Sequence, residues 1–100
     1  MKRKASISHD EAIIRELRDD PEFAAEYLKA AMEDSDEPKV LLIALRQLAQ
    51  AHGVAKVARK ANIERESLYR ALSPNGNPRF STIVAITKAL GLSLTVEPAG

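Results

Sequence analysis

The apolar positions of this 100-residue chain recur at three- and four-residue spacing through most of its length, which is helical periodicity. Ile13, Ile14 and Leu17 form the first group. It follows Ser8-His9-Asp10-Glu11, where an N-cap serine and a glutamate three residues later make a capping box. Asp20-Pro21 opens a second helix, since Asp can cap and Pro suits the first turn. Phe23, Ala24, Tyr27, Leu28, Ala31 and Met32 give that helix one apolar face, and the polar run Glu33-Asp34-Ser35-Asp36 ends it. Pro38 opens a third helix, which runs to about His52 and stops at Gly53. From Val40 to Leu45 it is apolar nearly all round, so burial on more than one side is expected. Leu41, Leu45 and Leu48 are expected to face the following helices, and Val40 and Ile43 the N-terminal pair.

The stretch Val54 to Leu72, VAKVARKANIERESLYRAL, reads as two short helices joined by a tight turn. Ala55, Val57, Ala58 and Ala61 form the small apolar face of the first; Leu68, Ala71 and Leu72 form that of the second. Asn62 tolerates a left-handed backbone, and Ile63 can plug the space between the helices. This is the pattern of a helix-turn-helix, in which small Ala58 permits close approach and Leu68 anchors the second helix. Arg65, Glu66, Ser67, Tyr69 and Arg70 are then left facing outward, groups that reach phosphates and base edges.

Beyond Leu72 the run Ser73-Pro74-Asn75-Gly76-Asn77-Pro78-Arg79 is dense in turn formers. Asn75 and Asn77 could grip a phosphate there, or the loop could be a plain connection. Ser81 is expected to cap a last helix from about Thr82 to Leu90, with Ile83, Ile86 and Leu90 inward and Gly91 closing it. The tail Leu92-Ser93-Leu94-Thr95-Val96-Glu97 alternates apolar and polar, the periodicity of a strand. A lone strand is unstable in water, so this one is expected to pair, most simply with its own copy in a homodimer.

The chain has no cysteine, which removes disulfides and thiolate metal sites, and its two histidines lie far apart. No metal or other cofactor is expected. The His9-Asp10-Glu11 triplet is better read as a capped helix start than as a metal or catalytic cluster. No nucleophile–base pair, phosphate-binding glycine loop or ligand cluster points to an enzyme. No apolar run approaches a membrane span, and the basic tip at residues 1–7 lacks the apolar core of a signal peptide, so a cytoplasmic protein with no membrane contact is expected. The net charge of +1 hides an asymmetry. Residues 1–36 carry six bases against ten acids, −4, whereas residues 37–100 carry nine bases against four acids, +5. Positive potential coincides with the helix-turn-helix, where DNA requires it. Two regions follow: an acidic helical extension over 1–36, which braces the fold or binds a partner, and a helix-turn-helix domain with its strand over 37–97.

Residues 53–97, above all SLYRALSPNGNP and the KALGLSLTV ending, resemble the antidote proteins of addiction modules, of the HigA-like kind with a phage-repressor or Cro-like helix-turn-helix. DPEFAAEYLKAAMED is similar to a segment that many such antidotes carry. The resemblance implies an all-α repressor-like helix-turn-helix bundle, here with an N-terminal helical pair and a short C-terminal β-strand. It implies an antitoxin that neutralises a small basic toxin of the RelE/HigB type and represses its own operon by binding double-stranded operator DNA. A stand-alone phage-type repressor is the competing reading. Carried onto this chain, the recognition residues are Arg65, Glu66, Ser67, Tyr69 and Arg70, and the phosphate contacts Lys56, Arg59 and Arg79, with Asn75 and Asn77 of the loop. Glu64 departs from the family habit of Ser or Thr capping the recognition helix. It suits the helix dipole yet sits near the expected path of phosphate.

Overall fold

The computed structural model describes residues 8–33 and 36–99, which form α1 (His9–Asp19), α2 (Pro21–Glu33), α3 (Pro38–His52), α4 (Val54–Ala61), α5 (Arg65–Ala71) and α6 (Phe80–Ala89). The basic tip at 1–7 and the Asp34-Ser35 part of the polar run lie outside the described residues. The two N-terminal helices start as their sequence dictates. Ser8 Oγ accepts from the Glu11 backbone N–H at 3.1 Å while Glu11 Oε1 accepts from the Ser8 N–H at 3.3 Å. Asp20 Oδ1 accepts from the Phe23 N–H at 3.1 Å at the start of α2.

Helix α3 is the axis of the molecule: α1 and α2 pack against it, as does α4, which in turn carries α5 and α6. One apolar cluster runs through all of these elements, including Leu17, Leu28, Leu45, Leu48, Val57, Leu68, Leu72 and Ile86. Complete burial of each such leucine contributes about 1.5–3 kcal/mol. On α3 the buried arc takes in Leu42, Ala44, Leu45, Gln47, Leu48, Ala49 and Ala51. The solvent stripe runs along Lys39, Ile43 and Gln50, with Arg46 half-exposed among them. The apolar run thus signals burial on several sides, but Ile43 is exposed rather than packed on the N-terminal pair; Leu42, 100° away on the helix, takes the inward position.

Gln47 is the polar member of that buried arc. It ties three helices together: Tyr27 Oη donates to Gln47 Oε1 at 2.6 Å, and Gln47 Nε2 donates to Asp10 Oδ1 at 2.7 Å. Phe23 flanks Tyr27, with ring centroids 5.8 Å apart. The apolar stripes of α1 and α2 therefore seat on α3 around a satisfied polar group.

The last helix starts earlier than its serine suggests. Arg79 occupies the N-cap position without a side-chain hydrogen bond, and its carbonyl accepts from Thr82 and Ile83. Ser81 therefore lies inside the first turn and caps nothing. The end of α6 is a Schellman motif: the Gly91 N–H donates to Lys88 O and the Leu92 N–H to Thr87 O, with Gly91 at φ 79°.

That motif corrects the expectation for the tail. No strand exists among the described residues, and 92–99 carry no regular element. A strand needs a second chain segment to take up its alternating N–H and C=O groups. The one backbone bond of this tail, from Leu92, closes the helix instead. The alternation is real but serves another purpose. Leu92 and Leu94 are half-buried while Ser93, Thr95 and Val96 face outward, so a segment without regular structure turns its two leucines toward α2 and α6. The short C-terminal β-strand expected from the alternation is therefore absent among the described residues. The fold is all-α. Among the described residues no helix is long and apolar enough to cross a membrane.

Candidate nucleic-acid interface

The α4–α5 unit is built from its buried side outward. Val57, Ala58, Leu68 and Leu72 are almost entirely buried, which fixes the angle between the two helices and turns their other faces to solvent. Asn62 takes the left-handed conformation (φ 59°, ψ 45°), and Ile63 donates back to Ala58 O at 2.9 Å, which ends α4 sharply. Asn serves where the turn demands positive φ, because its short polar side chain lowers the penalty that other residues meet there.

On α5 the exposed arc runs Arg65, Tyr69, Glu66, Arg70 in order around the helix, and Ser67 is half-buried at its edge. The Arg65 guanidinium carbon lies 5.9 Å from the centroid of the Tyr69 ring. This cation–π contact brings two of the expected residues together on the outer face. Tyr69 keeps 42% of its surface exposed, so it belongs to the outer face rather than the core. Glu64 is the N-cap residue of α5 and makes no side-chain cap hydrogen bond.

On α4 the outward face carries Lys56, Arg59 and Lys60, and also Ala55, which is exposed and not part of the inward apolar set as expected, since it lies one residue before Lys56 at the edge of that set. Lys60 was absent from the expected contacts. The signal for it is the inward set Val57, Ala58 and Ala61, which leaves Lys60 40° from Lys56 on the outer arc. Among the described residues the one ion pair is Arg18–Asp19 on α1, so none of these bases is neutralised by a carboxylate there.

The loop after α5 is anchored to it. Ser73 Oγ donates to Arg70 O at 2.9 Å, and the Gly76 N–H donates to Ser73 O at 2.8 Å. A Cβ at Gly76 would stand 2.1 Å from Ala71 O, a contact that only glycine avoids. This close approach holds exposed Asn75 and Asn77 beside the end of α5, near Arg70. Arg79 is set apart, as the N-cap of α6. Arg65, Tyr69 and Arg70 therefore share a face with Glu66, the loop asparagines adjoin its end, and Ser67 and Arg79 are peripheral.

Chemically the surface offers guanidinium and ammonium groups for phosphate, a bidentate donor for guanine and a carboxylate able to accept from cytosine N4. Among the described residues no group of three or more His, Cys, Asp or Glu is disposed to hold a metal ion. Comparison with known proteins gives two likenesses. A family model described as "Probable addiction module antidote protein" matches residues 9–98. An uncharacterized protein of Haemophilus influenzae is 41% identical over 71 residues, which cover 71% of this chain and 72% of that protein. No solved structure matches. The family match spans every helix from α1 to α6, so the chain belongs to the family of addiction module antidote proteins.

Proposed function

We propose that this antidote is the antitoxin of a toxin–antitoxin module, binding a small basic toxin of the RelE/HigB type and repressing its own operon through α4 and α5. Family membership supports the antitoxin half. The observation that carries the DNA half is the outward face of α5, where Arg65 stacks on Tyr69 beside Arg70. In this reading α5 enters the major groove of double-stranded operator DNA. Arg65 or Arg70 reads guanine bidentately, Glu66 disfavours bases that present only acceptors, and Lys56, Arg59, Lys60 and Arg79 hold phosphates. Asn75 and Asn77 clamp the backbone at the end of α5.

A seven-residue helix reaches only a few base pairs. Specific binding therefore calls for two copies on an inverted repeat, with half-sites about 10 base pairs apart.

The test has two arms. The neighbouring small open reading frame is expressed alone and with this protein, and growth and co-purification are scored. The protein is also titrated onto a fragment of its own promoter at several salt concentrations. Growth arrest relieved by a stable complex, with promoter binding that weakens steeply as salt rises, is the expected result. A harmless neighbour that forms no complex would refute the antitoxin half. Equal affinity for promoter and unrelated DNA would refute the repressor half.

A further inference from the structure

A groove of about 360 Å³ runs between α2 and the C-terminal tail. Leu28 and Met32 of α2 and Leu92 and Leu94 of the tail give it an apolar lining, and Glu26, Glu33 and Glu97 line it together with Lys29. Met32 lies one turn beyond buried Leu28 on the inward stripe of α2, yet keeps 41% of its surface exposed. No described residue covers the rest of it. None of the outward bases of α4 and α5 lines the groove, and α2 packs on α1 and α3 instead.

Two properties define what fits. The lining takes an aliphatic or aromatic side chain, and the flexible thioether of Met32 adapts to its shape. Three carboxylates against one ammonium, two of them on α2 within the N-terminal region whose charge is −4, select lysine or arginine beside that side chain. Nucleic acid is repelled by the same charges. Two copies meeting groove to groove would set Glu26, Glu33 and Glu97 against their own counterparts.

We propose that this groove is the toxin-binding surface, which holds an apolar side chain flanked by basic residues from the toxin. The inference rests on the antitoxin reading above and adds the location. It has a consequence for regulation. The toxin engages α2 and the tail while DNA engages α4 and α5, so the toxin-bound protein keeps its DNA face open.

The probe is the purified product of the neighbouring small reading frame, with the full-length antidote carrying Met32→Arg or, separately, Glu26→Lys with Glu33→Lys. All three positions are exposed, and unfolding midpoints check that the variants remain folded. The expected result is a dissociation constant at least about tenfold higher for each variant, the loss typical of a charge placed in an interface centre. Affinity for the promoter fragment should be unchanged, and association of the wild-type pair should slow as salt is raised. A wild-type complex whose affinity neither variant alters would overturn the groove and leave the antitoxin function standing. A wild-type protein that captures nothing would overturn that function, and the groove with it. If Met32→Arg instead turns a dimer into a monomer in sedimentation while toxin affinity holds, the groove belongs to a second copy and the proposal fails.

Discussion

Replacing Tyr27 by Phe removes one oxygen atom from the protein and leaves the ring in place. The consequence falls on Gln47, which is 5% exposed and whose two polar ends are both engaged. The chemistry of the partners fixes the amide orientation. The Asp10 carboxylate only accepts, so it must meet Nε2, and Oε1 must meet the phenol. Burial pushes the Tyr27 phenol above its usual value, and the Asp10 charge adds to the effect, so Tyr27 remains a donor at neutral pH. In Tyr27→Phe the amide oxygen of Gln47 stays buried without a donor, which costs about 1–3 kcal/mol. No cavity forms, so no packing loss adds to this. For a domain of this size each kcal/mol moves the melting temperature by about 4–8 °C. Urea unfolding should show a lower midpoint at an unchanged slope. Gln47→Leu should be milder than the sum of its two lost bonds, because half-buried Tyr27 and exposed Asp10 can be rehydrated. A Tyr27→Phe effect below about 0.5 kcal/mol, the size of an ordinary surface change, would refute the reasoning and mean that Gln47 finds another donor.

Gln47→Glu would set a carboxylate against Asp10 in that same buried place. Its folded-state pKa would rise above the unfolded value, so its stability deficit should be largest at neutral pH and shrink as pH falls through the carboxylate range; a pH-independent deficit would count against the contact. Arg70→Ala and Arg65→Ala should each weaken promoter binding by about 1–3 kcal/mol, checked by titration of the folded variants. Asn62→Gly should be close to neutral in thermal unfolding, and Asn62→Ala should destabilise by about 1–2 kcal/mol because alanine must adopt positive φ. Gly76→Ala should lower stability by about 1–3 kcal/mol, since Ala71 O and the new Cβ cannot both keep their places. Val96→Pro, at a position 95% exposed on the unpaired tail, should leave the unfolding midpoint unchanged; a clear loss would show that the tail backbone is hydrogen-bonded after all.

Some of the candidate interface is legible in the chain because it depends on local rules. The outward set Arg65, Glu66, Tyr69 and Arg70 follows from the inward pair Leu68 and Leu72 at helical spacing. Lys60 obeys the same rule on α4 and could have been read from it. The stacking of Arg65 on Tyr69 is a rotamer choice that spacing permits but does not dictate. The close seat of Gly76 on Ala71 O was hidden for a different reason. A turn-rich sequence announces a loop, whereas the path that loop takes is set by what it lands on.

The sequence by itself determined the helices, the capping box at Ser8 and Glu11, and the left-handed turn at Asn62, since each is decided within a few residues of backbone. Side-chain spacing also determined most of the faces that turn inward; it missed at Ile43, where an all-apolar run offers no polar residue to mark the solvent side, and at Ala55 and Met32, which lie at the exposed edges of their stripes. Only the tertiary structure decided the role of Gln47, whose burial depends on Asp10 and Tyr27 arriving from 37 and 20 residues away. It also decided the fate of the tail. Alternation of Leu92, Ser93, Leu94 and Thr95 specifies which side chains face inward, but a strand exists only when another strand completes its backbone hydrogen bonds. Here the helices supply an apolar core for Leu92 to pack against, Leu94 is half-buried beside it, and no such partner is found among the described residues.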